Sequence, residues 1–113
     1  MSRQSVRLRK RAEFQRLAAE GRKVAMPGLV LQALPRKDIA PVRLGFTVTK
    51  RVGDAVVRNR TRRRLKEAAR LLLREQCLAG YDLVLIGRQA TKTREFRALQ
   101  GDLVRALAKA GVL

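Results

Sequence analysis

The stretch VRLGFTVTKRVGDAVVRNRTRRRLKEAARLLLREQ, residues 42–76, decides the fold. Its first eight residues alternate: Val42, Leu44, Phe46 and Val48 fall on one side, and Arg43, Gly45, Thr47 and Thr49 on the other. That is the period of a strand with one buried face. Gly53-Asp54 ends the alternation, and Asp54 is placed to cap a helix running to about Gln76. At about 100° per residue, Leu65, Ala68, Ala69 and Leu72 share one stripe of that helix. Arg60, Arg63, Glu67, Arg70 and Arg74 lie opposite, while Arg58 violates the pattern by falling on the apolar stripe.

Working outward, Tyr81–Ile86 (YDLVLI) reads as a buried strand. Thr93 is placed to cap a last helix with Phe96, Leu99, Leu103 and Leu107 on one face. Upstream, Leu29–Leu34 lies between Pro27-Gly28 and Pro35 and reads as a strand, with a weaker strand signal at Arg22–Ala25. The short connection predicts that Leu29–Leu34 and Val42–Thr49 form an antiparallel pair. Before them, Phe14, Leu17 and Ala18 mark a short helix stopped by Gly21. The expected fold is a compact two-layer α/β sandwich, about four strands and three helices in the order α-β-β-(β)-α-β-α. Residues 1–113 leave room for a single domain.

Charge narrows the class. Lys and Arg number 27 against nine Asp and Glu, a formal net charge of +18. Residues 1–23 carry +6 of this and residues 50–74 carry +8. A 46% hydrophobic share argues for a folded chain, so the charge strains a compact state unless a polyanion relieves it. An ordinary small-molecule enzyme and a neutral scaffold are excluded. Nucleic acid is the leading partner and an acidic membrane surface the alternative. No apolar run approaches the roughly 18 residues of a membrane span. The basic N-terminus is not followed by an apolar segment, so no secretory signal is read there and the cytoplasm is the expected location.

Side-chain catalysis finds no candidates. Histidine is absent, which removes the usual general base, and Cys77, the only cysteine, reads as a buried thiol. The nine acids are scattered. Glu13, Glu20, Glu67, Glu75 and Glu95 sit beside Arg or Lys on helices, in positions suited to charge pairing. Residues 58–66 are different, with six bases in nine residues and no acid. Like charges at this spacing oppose the helix, and a bound polyanion reverses that cost.

These residues carry a specific resemblance. Arg58-Asn59-Arg60 and the basic run to Leu65, after Gly53-x-Ala55-Val56, resemble the signature helix of the bacterial ribonuclease P protein subunit family. The likeness extends over nearly the whole chain. Arg7-Leu8 and Glu13-Phe14 match the family's opening, Leu44–Arg51 its strand before the signature helix, and Tyr81-Asp82 the start of its later strand.

The resemblance implies a function and a site. The catalytic subunit of that ribonucleoprotein is an RNA, which removes 5′ leaders from precursor tRNA with Mg²⁺ bound mainly by the RNA. The protein subunit assists, and alone is expected to be inactive. By matching position, Lys50, Arg51, Arg58, Asn59, Arg60, Arg62, Arg63, Lys66 and Arg70 are expected to face the RNA subunit. Phe14, Gln32, Arg43, Thr47 and Thr49 are expected to line a cleft for the single-stranded leader, although Phe14 can also be read as core. Ala18 and Gln32 stand where some members carry aromatic residues, so base stacking is expected to be weaker here. A left-handed crossover around the signature helix is implied too, against the usual right-handed rule. No catalytic side chain, protein-held metal, membrane or small-molecule substrate is implied. A structural RNA-binding protein, such as a ribosomal protein, and a DNA-binding protein remain the alternatives.

Overall fold

The computed structural model describes residues 5–113, so Arg3 of the first basic block lies outside it. In chain order come β1 (Ser5–Arg7), α1 (Arg11–Glu20), β2 (Arg22–Ala25), β3 (Leu29–Pro35) and β4 (Val42–Thr47). Then follow α2 (Ala55–Glu75), β5 (Tyr81–Gly87), a 3₁₀ turn (Gln89–Lys92) and α3 (Phe96–Lys109). The five strands form one sheet in the order β1-β4-β5-β3-β2.

β5 takes the centre because Leu83, Val84 and Leu85 are all buried. A strand apolar on both faces has no place at an edge. This overturns the expected antiparallel pair of Leu29–Leu34 with Val42–Thr49. β5 lies between them, antiparallel to β3 (Leu31 opposite Leu85) and parallel to β4 (Phe46 opposite Leu85). The connection instead arches over the start of β5. Arg36 N donates to Gly80 O at 2.7 Å, and Gly80 N donates to Ala40 O at 2.9 Å.

The main core lies between the sheet and α2 with α3, where Leu29, Leu31, Leu65, Leu83, Leu85, Leu99 and Leu107 are buried. Together these form the expected sandwich. The other face of the sheet carries α1 over a smaller cluster of Leu8, Leu17 and Val84. The strand at Arg22–Ala25 is present, and β1 is an addition that pairs parallel to β4.

Other expectations need correction. Val42–Thr49 stops as a strand at Thr47, and Thr49 begins a turn in which its carbonyl accepts from Val52 N at 3.1 Å. Glu95, not Thr93, caps α3 by accepting from Ala98 N at 3.0 Å. Cys77 is exposed, because α2 ends at Glu75 and the chain has left the apolar face by then. Ala18 is exposed and Leu17 is the only residue α1 fully buries. Gly21 does end α1, with φ of −74°. Its reason is space: a Cβ there would stand 2.6 Å from Leu17 O and 3.1 Å from Ala33 O.

Candidate nucleic-acid interface

α2 begins as its sequence requires, with Asp54 Oδ1 accepting from Val57 N at 3.0 Å. Arg60, Arg63 and Arg70 are exposed, as their place opposite the apolar stripe predicts. They do not form one flat surface with the rest. Residues two apart on a helix diverge by about 160°, so Arg60 and Arg62 occupy opposite shoulders.

The Arg62 shoulder faces β4 and β1. Lys66 Nζ lies 6.0 Å from the centroid of the half-buried Phe46 ring, and Arg7 Cζ lies 5.6 Å from it. Burial, then the nearby charges of Arg7 and Arg62, push the Lys66 ammonium below its ordinary pKa. No carboxylate pairs with Arg7, Arg62 or Lys66 among the described residues. Arg62 donates instead to Asn59 Oδ1, which links two of the expected RNA-facing residues. Arg58 is half-buried, and its Nε is buried without a hydrogen-bond partner among the described residues. Its breach of the apolar stripe thus has a cost in the free protein.

The Arg60 shoulder borders Lys92 and Thr93. Lys50 and Arg51 are exposed in the turn that leads into α2. Arg70 is partly neutralised, with Nη2 2.6 Å from Glu67 Oε2. Arg64 serves the fold: its Nε donates to Thr91 O at 2.9 Å and its Nη2 donates to Arg94 O.

On the opposite side of the sheet, successive rows of side chains bring the other candidates together. Gln32, Val84 and Gly45 lie in one row across β3, β5 and β4, and Val30, Ile86 and Thr47 in the next. Phe14 from α1 sits on Gly45, and Phe14, Gln32 and Thr47 are all half-buried. Phe14 therefore packs on the small cluster while part of its ring stays exposed. Thr49 is exposed past the end of β4, so it adjoins this face without sharing the strand.

Arg43 also reaches this face, with its charge already matched. Nε and Nη2 donate to the two oxygens of Asp82 at 2.8 and 2.6 Å, and Nη1 donates to Glu13 Oε2 at 2.7 Å. Hydrogen bonding to Asp82 raises its already high pKa, against the effect of burial. These three bonds leave two of the guanidinium's five N–H groups unused. Arg36 completes the network by donating to Asp82 at 2.8 Å and to Asp38.

Sequence reasoning missed Arg7 and Phe46 as parts of the basic shoulder. Phe46 is marked only as an inward residue of an alternating strand. Arg7 arrives there because β1 pairs with β4, and three exposed residues carry no periodic signal. Among the described residues, no three metal-ligating side chains come together. No helix is long and apolar enough to cross a membrane.

A mixed sheet with a basic shoulder on one side, unpaired with carboxylates among the described residues, and half-buried Phe14, Gln32 and Thr47 on the other fits an RNA-binding α/β protein. Known proteins agree. The family described as Ribonuclease P matches residues 1–111. The ribonuclease P protein component of Gluconacetobacter diazotrophicus is 67% identical over 106 residues, covering 94% of this chain and 91% of that protein. That of Paramagnetospirillum magneticum is 48% identical over 111 residues, covering 95% and 84%. The RNase P protein structure from Staphylococcus aureus superposes with a TM-score of 0.78 at 32% identity, covering 94% of this chain and 95% of that one. The Thermotoga maritima protein gives 0.76 at 26% identity, covering 91% and 96%. The chain belongs to the ribonuclease P protein component family, part of the ribonucleoprotein that matures tRNA 5′ ends, and its partner is the ribonuclease P RNA.

Proposed function

We propose that this chain contributes binding rather than bond cleavage to tRNA 5′ maturation, in the cytoplasm. The basic surface of α2, joined by Arg7, Lys50 and Arg51, binds the RNA subunit. The groove between α1 and the sheet holds the single-stranded leader of precursor tRNA. Mg²⁺ and the hydrolytic chemistry reside with the RNA, since Glu13, Asp38 and Asp82 of this chain are engaged in ion pairs with Arg36 and Arg43.

The observation that carries the reading is the unequal distribution of counter-charge. Arg62 and Lys66 gather with Arg7 near Phe46 and form no ion pair among the described residues, whereas Asp82 and Asp102 are spent elsewhere on structure. A phosphate backbone supplies the missing negative charge and releases counterions as it binds. In the groove, Phe14 offers a stacking surface, Thr47 and Gln32 offer hydrogen bonds, and Arg43 offers its two spare N–H groups. Such a set suits splayed bases better than a duplex.

Phe14→Ala in the reconstituted ribonucleoprotein tests this. Precursor tRNA binding should weaken by about 1–3 kcal/mol at constant salt, the usual worth of one stacked base. Mature tRNA lacks the leader, so its affinity should not move. Equal losses for both would make Phe14 purely a core residue. The isolated, nuclease-free chain should not cut precursor tRNA in Mg²⁺, and cleavage at the mature 5′ end would overturn the division of labour.

A further inference from the structure

The 3₁₀ turn packs against α2 and leaves a pocket of about 210 Å³ lined by Val57, Arg60, Thr61, Arg64, Lys92 and Thr93. It lies on the shoulder of α2 away from the Arg7, Arg62 and Lys66 cluster. Three of its six lining residues are cations and none is an acid. Two of those cations are held in place. Lys92 Nζ donates to Val52 O at 2.9 Å, spending one of its three N–H groups. Arg64 is fixed by the Thr91 and Arg94 carbonyls, with its Cζ 5.9 Å from the Phe96 ring centroid. Arg60 is exposed and has no protein partner among the described residues.

The lining is mostly carbon. Thr61 Oγ1 already donates to Val57 O at 2.8 Å, so the floor offers little free hydrogen bonding. A bare phosphate would want converging donors, whereas this pocket has an apolar floor and a cationic rim. Its volume is below the roughly 300–1,000 Å³ that accommodates a drug-sized ligand, so it has room for one ring system. Unstacked RNA bases commonly rest on guanidinium planes, and Arg64 presents a fixed one.

We propose that this pocket receives a single unstacked nucleotide of an RNA, with its base between Val57 and Arg64 and its phosphate on Arg60 and Lys92. This rests on the RNA-binding reading above and adds a contact made by shape as well as charge. Two measurements on the full chain test it. In the first, the methyl resonances of Val57 are followed during titration with adenosine 5′-monophosphate, adenosine or inorganic phosphate. The monophosphate should half-saturate the shift at a concentration at least about fivefold below that of phosphate, with adenosine shifting the same methyls more weakly. Lys92→Ala should remove the monophosphate's advantage over adenosine. In the second, Thr93→Trp fills the pocket from its exposed rim without removing charge. Affinity for the RNA subunit should drop about tenfold, with the salt slope falling by no more than the roughly 0.7–0.9 expected for the one phosphate seated on Arg60 and Lys92.

Inorganic phosphate acting as well as the monophosphate would overturn the proposal. So would wild-type RNA affinity in Thr93→Trp. A wild-type chain that fails to bind the RNA subunit at all would instead overturn the RNA-binding reading itself.

Discussion

Phe14 rests on Gly45, so closely that a Cβ at position 45 would lie 2.5 Å from Phe14 Cε1 and 2.6 Å from Cζ. The missing side chain is the seat of the ring and sets how near α1 comes to β4. Gly45→Ala should push the ring out of that seat. Overpacking commonly costs about 1–3 kcal/mol, and the lower end is expected because the displaced atoms are the free end of a side chain. Precursor tRNA affinity should fall more than stability does, and mature tRNA affinity should hold. Melting curves and parallel binding assays separate the two.

Removing Arg60 and Arg63 together should flatten the salt dependence of RNA-subunit binding. Each lost phosphate contact subtracts roughly 0.7–0.9 from the slope of log K against log salt, so the pair should subtract about 1.4–1.8. Both side chains are exposed, so Arg60→Ala with Arg63→Ala should melt like the wild type. A folded double variant with an unchanged slope would place the RNA face elsewhere.

Asp102 is wholly buried and ties three segments together. It accepts from Gly28 N at 2.9 Å, Arg94 Nε at 2.8 Å and Arg105 Nη2 at 2.8 Å. Asp102→Ala strands the buried Gly28 N–H and removes a buried carboxylate from two half-exposed arginines, so about 2–3 kcal/mol of stability should be lost. Asp102→Asn keeps an acceptor for Gly28 and should lose less. Urea midpoints at constant slope give the difference.

Stability should be flat near neutrality and fall in acid. Burial pushes the Asp82 and Asp102 carboxyls up, but hydrogen bonds from Arg43 and Arg36, and from Arg94 and Arg105, outweigh it. Both carboxyls therefore sit below the ordinary aspartate value of about 3.9. A folded-state pKa below the unfolded one gives stability that is complete above about pH 4 and drains as the pH drops through the folded values. With no histidine in the chain, little else titrates from about pH 5 to 7. A melting temperature that rises on acidification to about pH 3 would contradict this.

What the sequence made legible follows from periodicity. β4, α2, β5 and α3 each repeat apolar residues often enough to declare their type, and α2 also declares its charged outer face. β1 could not be read, since Ser5, Val6 and Arg7 are all exposed and only their partner strand gives them order. The sheet order was misread because a short connection suggests neighbouring strands, and the double-sided burial of β5 outweighed that. For the site, position was readable and state was not. Arg43 stands on the expected face, but its bonds to Glu13 and Asp82 come from residues 30 and 39 positions away. Arg58 announced itself by breaking the apolar stripe, and its unpartnered Nε shows what that breach costs.

The central place of β5 has a consequence for how the protein is made. The sheet is split into β1 with β4 on one side and β2 with β3 on the other, and only residues 81–87 join them. A chain leaving the ribosome has therefore exposed all of α2, with its run of cations, before the strand that completes the core has emerged. Non-local pairing of this kind closes slowly. Until residues 81–87 have emerged and paired, the cations of α2 stand among ribosomal and messenger RNA without the sheet that arranges them into selective surfaces.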